Sequence, residues 1–186
     1  MNAEHLEICG SEGWRDVLRD LILPYAMADA RLGDDVVEVG PGPGMTTDLL
    51  RAELPKLTAV ELDECLAAAL DERLAGTNVE VVNADATDMP FEDGRFTGAV
   101  SFTMLHHVPT AELQDRLFAE VARVLRPGAT FVVSDSMASA ELEVLHDGDP
   151  YNPVDPAGVE ARLVAAGFAE AEVRFNDFGW AAHATR

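Results

Sequence analysis

One stretch of the chain combines features that lower the stability of the fold unless a ligand or a close contact requires them. Residues 36–44 read Val-Val-Glu-Val-Gly-Pro-Gly-Pro-Gly, an apolar strand pattern with one acid and three alternate glycines. Glycine is the residue that tolerates positive φ and close backbone approach. A buried carboxylate such as Glu38 needs a partner. The stretch therefore predicts a strand that delivers a glycine turn to a ligand. The turn residues predicted to contact that ligand are Gly40, Pro41, Gly42 and Gly44.

The spacing of the glycines argues against two common phosphate-binding turns. The dinucleotide pattern needs a third glycine three residues after Gly42, where this chain has Met45. A P-loop needs a lysine followed by Ser or Thr, and Thr46-Thr47 follow Gly44 without a lysine. An oxidoreductase that binds a dinucleotide is therefore a disfavoured alternative.

Two later carboxylates indicate an adenosine. Glu61 ends the second predicted strand, where a carboxylate can accept hydrogen bonds from both ribose hydroxyls. Asp85 follows the third strand and can accept from the exocyclic amine of adenine. Leu62 and Ala86 are expected to pack on the faces of the base, whereas Asp63 is expected to cap a helix. These residues serve ribose and adenine, and none suits a phosphate.

Glu38 narrows the range of possible ligands further. A buried carboxylate beside the glycine turn is matched by an ammonium group, met directly or through water. An adenosine that carries an amino acid instead of phosphates is S-adenosylmethionine. The predicted cofactor is therefore S-adenosylmethionine, with S-adenosylhomocysteine as its product.

Alternating strand and helix patterns are expected to position these residues. This alternation indicates an α/β fold, in which helices cover both faces of a mostly parallel sheet. Ligands of such sheets bind at the carboxyl ends of the strands. Phe102 at the end of the fourth strand and His106 shortly after it are therefore also candidates. The predicted strands are 36–39, 57–60, 79–82, 98–102, 131–134, 171–175 and 179–183. The predicted helices are 45–52, 64–74, 110–125 and 157–166.

Two segments outside this alternation are predicted to cover a substrate. Residues 1–33 form a helical segment, with an amphipathic helix that ends or bends at Pro24 and a short helix from Pro24 to Gly33. Residues 135–156 form a polar, proline-containing insert of the kind that often acts as a lid. The length of 186 residues suits a single domain, 1–186.

Composition limits the partners. The net charge is −21, from 34 acidic and 13 basic residues, which disfavours nucleic acid and anionic membranes because phosphates are bound by Lys and Arg. The chain has no predicted membrane insertion and no signal-peptide pattern. Its two separated cysteines suit a reducing compartment. We therefore expect a cytoplasmic protein with a small-molecule partner, with no metal site and with no sequence signal for an oligomeric state.

The motifs resemble class I S-adenosylmethionine-dependent methyltransferases. The segments that carry this resemblance, in the family's order, are 36–44, 59–63, 83–86 with 89–91, 96–108 and 121–128. The resemblance implies a Rossmann-like, three-layer fold with a seven-stranded, mostly parallel sheet whose last strand is antiparallel.

The motifs resemble two different kinds of methyltransferase. Residues 38–44 and 60–63 are similar to ribosomal RNA adenine dimethylases. That family has Asn-Leu-Pro-Tyr after the fourth strand and a basic C-terminal domain, whereas residues 101–104 here are Ser-Phe-Thr-Met. Residues 105–108, Leu-His-His-Val, are similar to ubiquinone and menaquinone C-methyltransferases. The departures favour a small-molecule acceptor over RNA.

The resemblance implies methyl transfer by in-line displacement, in which the enzyme aligns the reactants and excludes water. His106 is the candidate general base because histidine titrates near neutral pH. A structural role for His106 or His107 is the alternative. A protein that binds S-adenosylmethionine or S-adenosylhomocysteine without catalysis is the alternative function, because it would share the cofactor motifs.

Overall fold

The computed structural model describes all 186 residues and contains one seven-stranded sheet. Its strands are β1 (Asp35–Val39), β2 (Lys56–Glu61), β3 (Val79–Asn83), β4 (Phe96–Phe102), β5 (Leu125–Ser136), β6 (Glu170–Phe175) and β7 (Gly179–Thr185). The spatial order is β3-β2-β1-β4-β5-β7-β6. Only β7 runs antiparallel to its neighbours β5 and β6. The predicted α/β fold with an antiparallel last strand is confirmed.

Eight α-helices accompany the sheet. They are α1 (Ala3–Cys9), α2 (Glu12–Val17), α3 (Leu23–Ala26), α4 (Met45–Leu50), α5 (Glu64–Leu74), α6 (Ala111–Val124), α7 (Ala140–Leu145) and α8 (Val159–Ala165). None of them has the length and apolar character that crossing a membrane requires.

Alternation along each strand sends side chains into two apolar layers. Val37 in β1 belongs to the larger core, which α6 and α8 cover with residues such as Phe118 and Leu163. Its neighbour Val36 faces the opposite layer, which contains Ala26 of α3 and Leu50 of α4. Side chains of successive strand residues point to opposite faces of a sheet. This two-sided burial explains why the strands read as nearly continuous apolar runs.

Polar residues at the predicted helix starts act as caps. The carboxylate of Asp63 accepts hydrogen bonds from the N–H groups of Cys65 and Leu66 at 2.9 and 3.0 Å, so α5 begins where the sequence predicts. Thr110 accepts from the N–H of Leu113 at the start of α6. Such caps satisfy amide groups that have no partner within the helix.

Three predicted elements differ from the observed ones. The N-terminal helix does not end at Pro24, because a π-helical turn over Leu18–Ile22 leads directly into α3, whose first turn holds the proline. The predicted short helix to Gly33 is also wrong, since α3 stops at Ala26. Strand β5 begins at Leu125 instead of residue 131, because a register shift opposite Phe96 and Gly98 accommodates the exposed residues 126–128 within the strand.

Candidate functional site

The carboxyl ends of β1, β2, β3 and β4 meet at one cavity of about 530 Å³. Most of the ligand-binding residues predicted from the sequence line it: Gly40, Pro41, Gly42, Glu61, Leu62, Asp85, Ala86 and Phe102. Glu38, Gly44 and His106 do not line it. The parallel topology therefore assembles motifs that are far apart in sequence, as expected for this class of sheet.

Glu61 organises the glycine turn. Its Oε2 accepts a hydrogen bond from the N–H of Gly42, and its Oε1 accepts one from the N–H of Asp63, both at 2.9 Å. The carboxylate is largely buried but reaches the cavity. Each carboxylate oxygen can accept a further hydrogen bond, so Glu61 has the capacity to bind ligand hydroxyls while it holds the turn.

Two glycines of the turn have different structural roles. Gly40 has φ of +69°, and a Cβ there would lie 2.2 Å from Cγ of Met104 at the cavity wall. Gly44 has φ of +86°, and its Cβ would lie 2.4 Å from Leu70 of α5. Gly40 therefore permits close packing at the cavity, whereas Gly44 permits close packing of the turn on a helix.

Glu38 is fully enclosed beneath the turn. Its Oε2 accepts a hydrogen bond from the hydroxyl of Thr47 at 2.7 Å. Burial raises the pKa of this carboxyl to about 7, and the charges of Asp48 and Glu61 add to the effect. Thr46, and not Glu38, lines the cavity. The predicted contact between Glu38 and a ligand ammonium group stays a prediction.

The ends of β2 and β3 are tied together beside Glu61. The side-chain amide of Asn83 donates to the carbonyl oxygens of Glu61 and Leu62 at 2.9 and 3.0 Å. Asp85 is oriented by the N–H of Thr87, which donates to its Oδ1 at 2.8 Å. Leu62 is 69% exposed and offers apolar surface at the cavity. The residues predicted for ribose and for adenine thus form one wall.

The remainder of the cavity is mainly apolar. Its walls come from the N-terminal segment, the turn after β4, α6 and the insert, with Met1, Cys9, Trp14, Met104, Val108, Pro109, Leu113, Leu117 and Pro150. No Lys or Arg lines the cavity, whereas Glu61, Asp63 and Asp85 do. The cavity therefore joins an acidic half to an apolar half.

Thr103 was not found by sequence reasoning. It lines the cavity directly after β4 with φ of +50°, a region that β-branched residues rarely adopt. Its N–H donates to the carbonyl oxygen of Ser134 at 2.8 Å, which holds the backbone in place. Strained backbone of this kind often occurs at functional sites, but no residue type or spacing in the sequence signals it.

His106 lies behind the cavity wall. Its ring Nδ1 is 2.6 Å from Oδ1 of Asp135, and its backbone N–H donates to Oδ2 of the same carboxylate at 2.9 Å. His107, the adjacent residue, lines the cavity instead. The role of His106 as a general base stays a prediction, and His107 is the histidine that reaches the cavity.

Two further histidines complete a cluster that the sequence did not predict. His5 of α1 and His146 after α7 join His106 and His107, and one ring nitrogen of each lies within 4.8 Å of the others. Burial, with the neighbouring imidazoles, lowers the pKa of His5 to about 4 and also lowers those of His107 and His146. The members come from three separate segments, so no local spacing indicates the cluster.

Comparison with known proteins agrees with this geometry. Residues 37–133 match the family model described as a methyltransferase domain. The chain is 30% identical over 132 residues to a demethylmenaquinone methyltransferase of Clavibacter sepedonicus, which covers 70% of this chain and 50% of that protein. It is 39% identical over 105 residues to a ribosomal RNA small subunit methyltransferase A of Pelotomaculum thermopropionicum, covering 50% of this chain and 36% of that protein. The chain thus spans half or less of the length of these curated relatives.

A solved structure supports the fold over the whole chain. A SAM-dependent methyltransferase from Aquifex aeolicus superposes with a TM-score of 0.76 at 16% identity, covering 99% of this chain and 98% of that one. At this identity the likeness concerns the fold. The matched family model covers more than half of the chain, including the glycine turn, Glu61 and Asp85. The chain therefore belongs to the family of S-adenosylmethionine-dependent methyltransferase domains.

Proposed function

We propose that this protein transfers a methyl group from S-adenosylmethionine to a small-molecule acceptor by in-line displacement. The observation that carries this proposal is that the acidic residues beside the glycine turn and the apolar residues line the same cavity. Such a cavity suits two small ligands side by side. Enzymes gain much of their rate enhancement by holding two reactants in line, because a bimolecular step then becomes effectively unimolecular.

The residues of the acidic half would bind the cofactor. Glu61 would accept the ribose hydroxyls, Asp85 the adenine amine, and Leu62 and Ala86 would pack against the base. The absence of lysine and arginine from the lining fits a ligand without phosphates. S-adenosylmethionine supplies a sulfonium methyl, which its own positive charge activates.

The apolar half would receive the acceptor. Trp14, Met104 and Leu117 offer surface for an uncharged molecule, and the curated relative from Clavibacter is named for a quinone-type acceptor. RNA is a poorer candidate, although other relatives are named for ribosomal RNA. A polyanion needs cationic side chains, and this chain has a net charge of −21 and a cavity free of them.

The chain's own contribution to the reaction would be alignment and exclusion of water. Phe102 and Thr103 line the cavity at the end of β4, and the next residue, Met104, packs against Gly40. An acceptor that loses a proton early would need a base within hydrogen-bond reach. His107 is the histidine that lines the cavity, but burial lowers the pKa of its ring, which keeps it neutral and makes it a weak proton acceptor.

The acceptor class is tested by methyl transfer from radiolabelled S-adenosylmethionine. The purified protein is incubated with a bacterial small-molecule extract and, separately, with deproteinised ribosomal RNA. We expect label in the small-molecule fraction and none in RNA. Label in RNA alone would overturn the acceptor class. Binding of S-adenosylhomocysteine by calorimetry with no transfer to either pool would favour the non-catalytic alternative.

A further inference from the structure

The four-histidine cluster lies beside the proposed acceptor pocket and has no part in cofactor binding. His5 comes from α1, His106 and His107 from the turn after β4, and His146 from the end of α7. Three of the four are buried, and His107 is half-buried at the cavity wall. Ring centroids of neighbouring pairs lie as close as 4.3 and 4.4 Å.

Hydrogen bonds fix the tautomers of two rings. Nδ1 of His146 lies 2.5 Å from the carbonyl oxygen of Leu142, which can only accept, so this nitrogen carries the proton. Nδ1 of His106 bonds the carboxylate of Asp135 in the same way at 2.6 Å. The Nε2 atoms of both rings therefore present lone pairs.

Three ring nitrogens of the cluster have no hydrogen-bond partner in the protein. Nε2 of His106, Nε2 of His146 and Nδ1 of His5 are all buried without a hydrogen bond. Buried polar atoms are nearly always satisfied, so three unsatisfied imidazole nitrogens in one place require an explanation. A proton would satisfy two nitrogens at most and would leave a cation among the other imidazoles, whereas a metal ion accepts every lone pair at once.

We infer that His5, His106, His107 and His146 bind one divalent transition-metal ion, with Zn²⁺ as the best fit. Neutral imidazole is a preferred ligand of such ions, and zinc binds four nitrogen ligands in tetrahedral geometry at about 2.0–2.1 Å. These bond lengths place ligand nitrogens about 3.4 Å apart. The nitrogens here lie within 4.8 Å of one another, so metal binding would bring any two of them closer by at most about 1.4 Å.

Asp135 supplies the support that metal-binding histidines generally have. A ligand histidine usually donates its second ring N–H to a carboxylate or carbonyl, which fixes its orientation. Asp135 does so for His106, and the Leu142 carbonyl does so for His146. The Asp135 carboxylate is itself held by the N–H groups of His106 and Ser136 at 2.9 and 2.7 Å.

The ion would join the segments that surround the apolar half of the cavity. Helix α1 is already tied to the insert, because the Asn2 side chain donates to the carbonyl oxygen of Leu145 at 2.8 Å. The metal would add a bond from this pair to the turn that carries His107. It would thus fix the wall of the pocket. This inference does not depend on methyl transfer.

The test is metal binding by the full chain. Protein stripped with a chelator is titrated with Zn²⁺ in competition with a chromogenic chelator, and bound zinc is quantified after gel filtration. We expect one equivalent per chain. His5→Ala and His146→Ala should each lower the affinity by more than the roughly 10- to 100-fold expected for the supporting Asp135→Asn. His183→Gln is the matched control, because His183 is the fifth histidine and lies outside the cluster.

A measurement on the unmodified protein covers the case in which a variant fails to fold. Co²⁺ in a tetrahedral nitrogen site should give visible ligand-field absorption that one equivalent of Zn²⁺ abolishes. Failure of the wild type to retain zinc would overturn the inference, and so would equal retention by the folded His5→Ala/His146→Ala variant. A thiolate-to-cobalt band in the ultraviolet would place the ion on Cys9 or Cys65 and would overturn it as well.

Discussion

Replacing Glu61 by glutamine separates its two roles, because the change conserves shape and removes charge. In the structure both carboxylate oxygens are engaged, by the N–H groups of Gly42 and Asp63. Glutamine keeps one oxygen and turns an NH₂ group toward the other donor. One backbone N–H therefore loses its acceptor, and a ligand hydroxyl that donates to the second oxygen loses its acceptor too.

The magnitudes follow from these lost hydrogen bonds. An N–H left unsatisfied in a buried turn costs about 1–3 kcal/mol, which should appear in the free energy of unfolding. A hydrogen bond from a ribose hydroxyl to a carboxylate contributes about 1.5–3 kcal/mol. Its loss weakens S-adenosylhomocysteine binding by about 10- to 150-fold. Glu64→Gln is the matched control, since Glu64 is exposed on the first turn of α5.

Urea denaturation and isothermal titration calorimetry with S-adenosylhomocysteine check the two effects separately. If Glu61→Gln is less stable but binds the ligand as the wild type does, Glu61 serves the turn alone and its assignment to the ribose is wrong. If stability is unchanged, the structural role is wrong instead. Equal losses of affinity in the Glu64→Gln control would indicate a general effect of charge.

Three other changes test the cavity and its surroundings. Gly40→Ala should lower S-adenosylhomocysteine affinity in calorimetry, because the new Cβ would lie 2.2 Å from Met104 Cγ. The double variant Gly40→Ala/Met104→Ala should recover part of this affinity, and the absence of any recovery would contradict the steric cause. Phe118→Ala should lower the free energy of unfolding in urea by about 3–5 kcal/mol, because the ring is fully buried; a loss near that of a surface substitution contradicts this. Burial raises the Glu38 pKa from 4.5 to about 7, so the stability of the wild type relative to Glu38→Gln should fall by about 3 kcal/mol as pH rises from 4.5 through 7. A difference that stays constant with pH contradicts the raised pKa.

Local patterns predicted the elements that local interactions determine. Helix α5 has its Asp63 cap and its apolar face within a few residues, and its observed bounds match the predicted ones. The start of β5 depends instead on a register shift against β4, and the passage of the chain through Pro24 depends on a wide helical turn. Both are set by packing between segments, which periodicity along a single segment does not contain.

The same distinction applies to the site. Gly42, Glu61 and Asp85 were predicted because each lies at or shortly after the end of a strand, and the parallel sheet brings strand ends together. The histidine cluster was not predicted, because α1 and the end of α7, two segments distant in sequence, bring His5 and His146 to His106 and His107. The orientation of His106 away from the cavity also required Asp135, a residue of the next strand.

The acidity of the chain has a further consequence in the proposed complex. S-adenosylmethionine carries one more positive charge than S-adenosylhomocysteine, because the sulfonium becomes a neutral thioether when the methyl group leaves. A lining with Glu61, Asp63 and Asp85 and without Lys or Arg, in a chain of net charge −21, favours the charged cofactor over its product. The same negative charge therefore disfavours a polyanionic acceptor and would weaken the retention of S-adenosylhomocysteine. Glu61, Asp63 and Asp85 would thus favour both a small, uncharged acceptor and the release of the product.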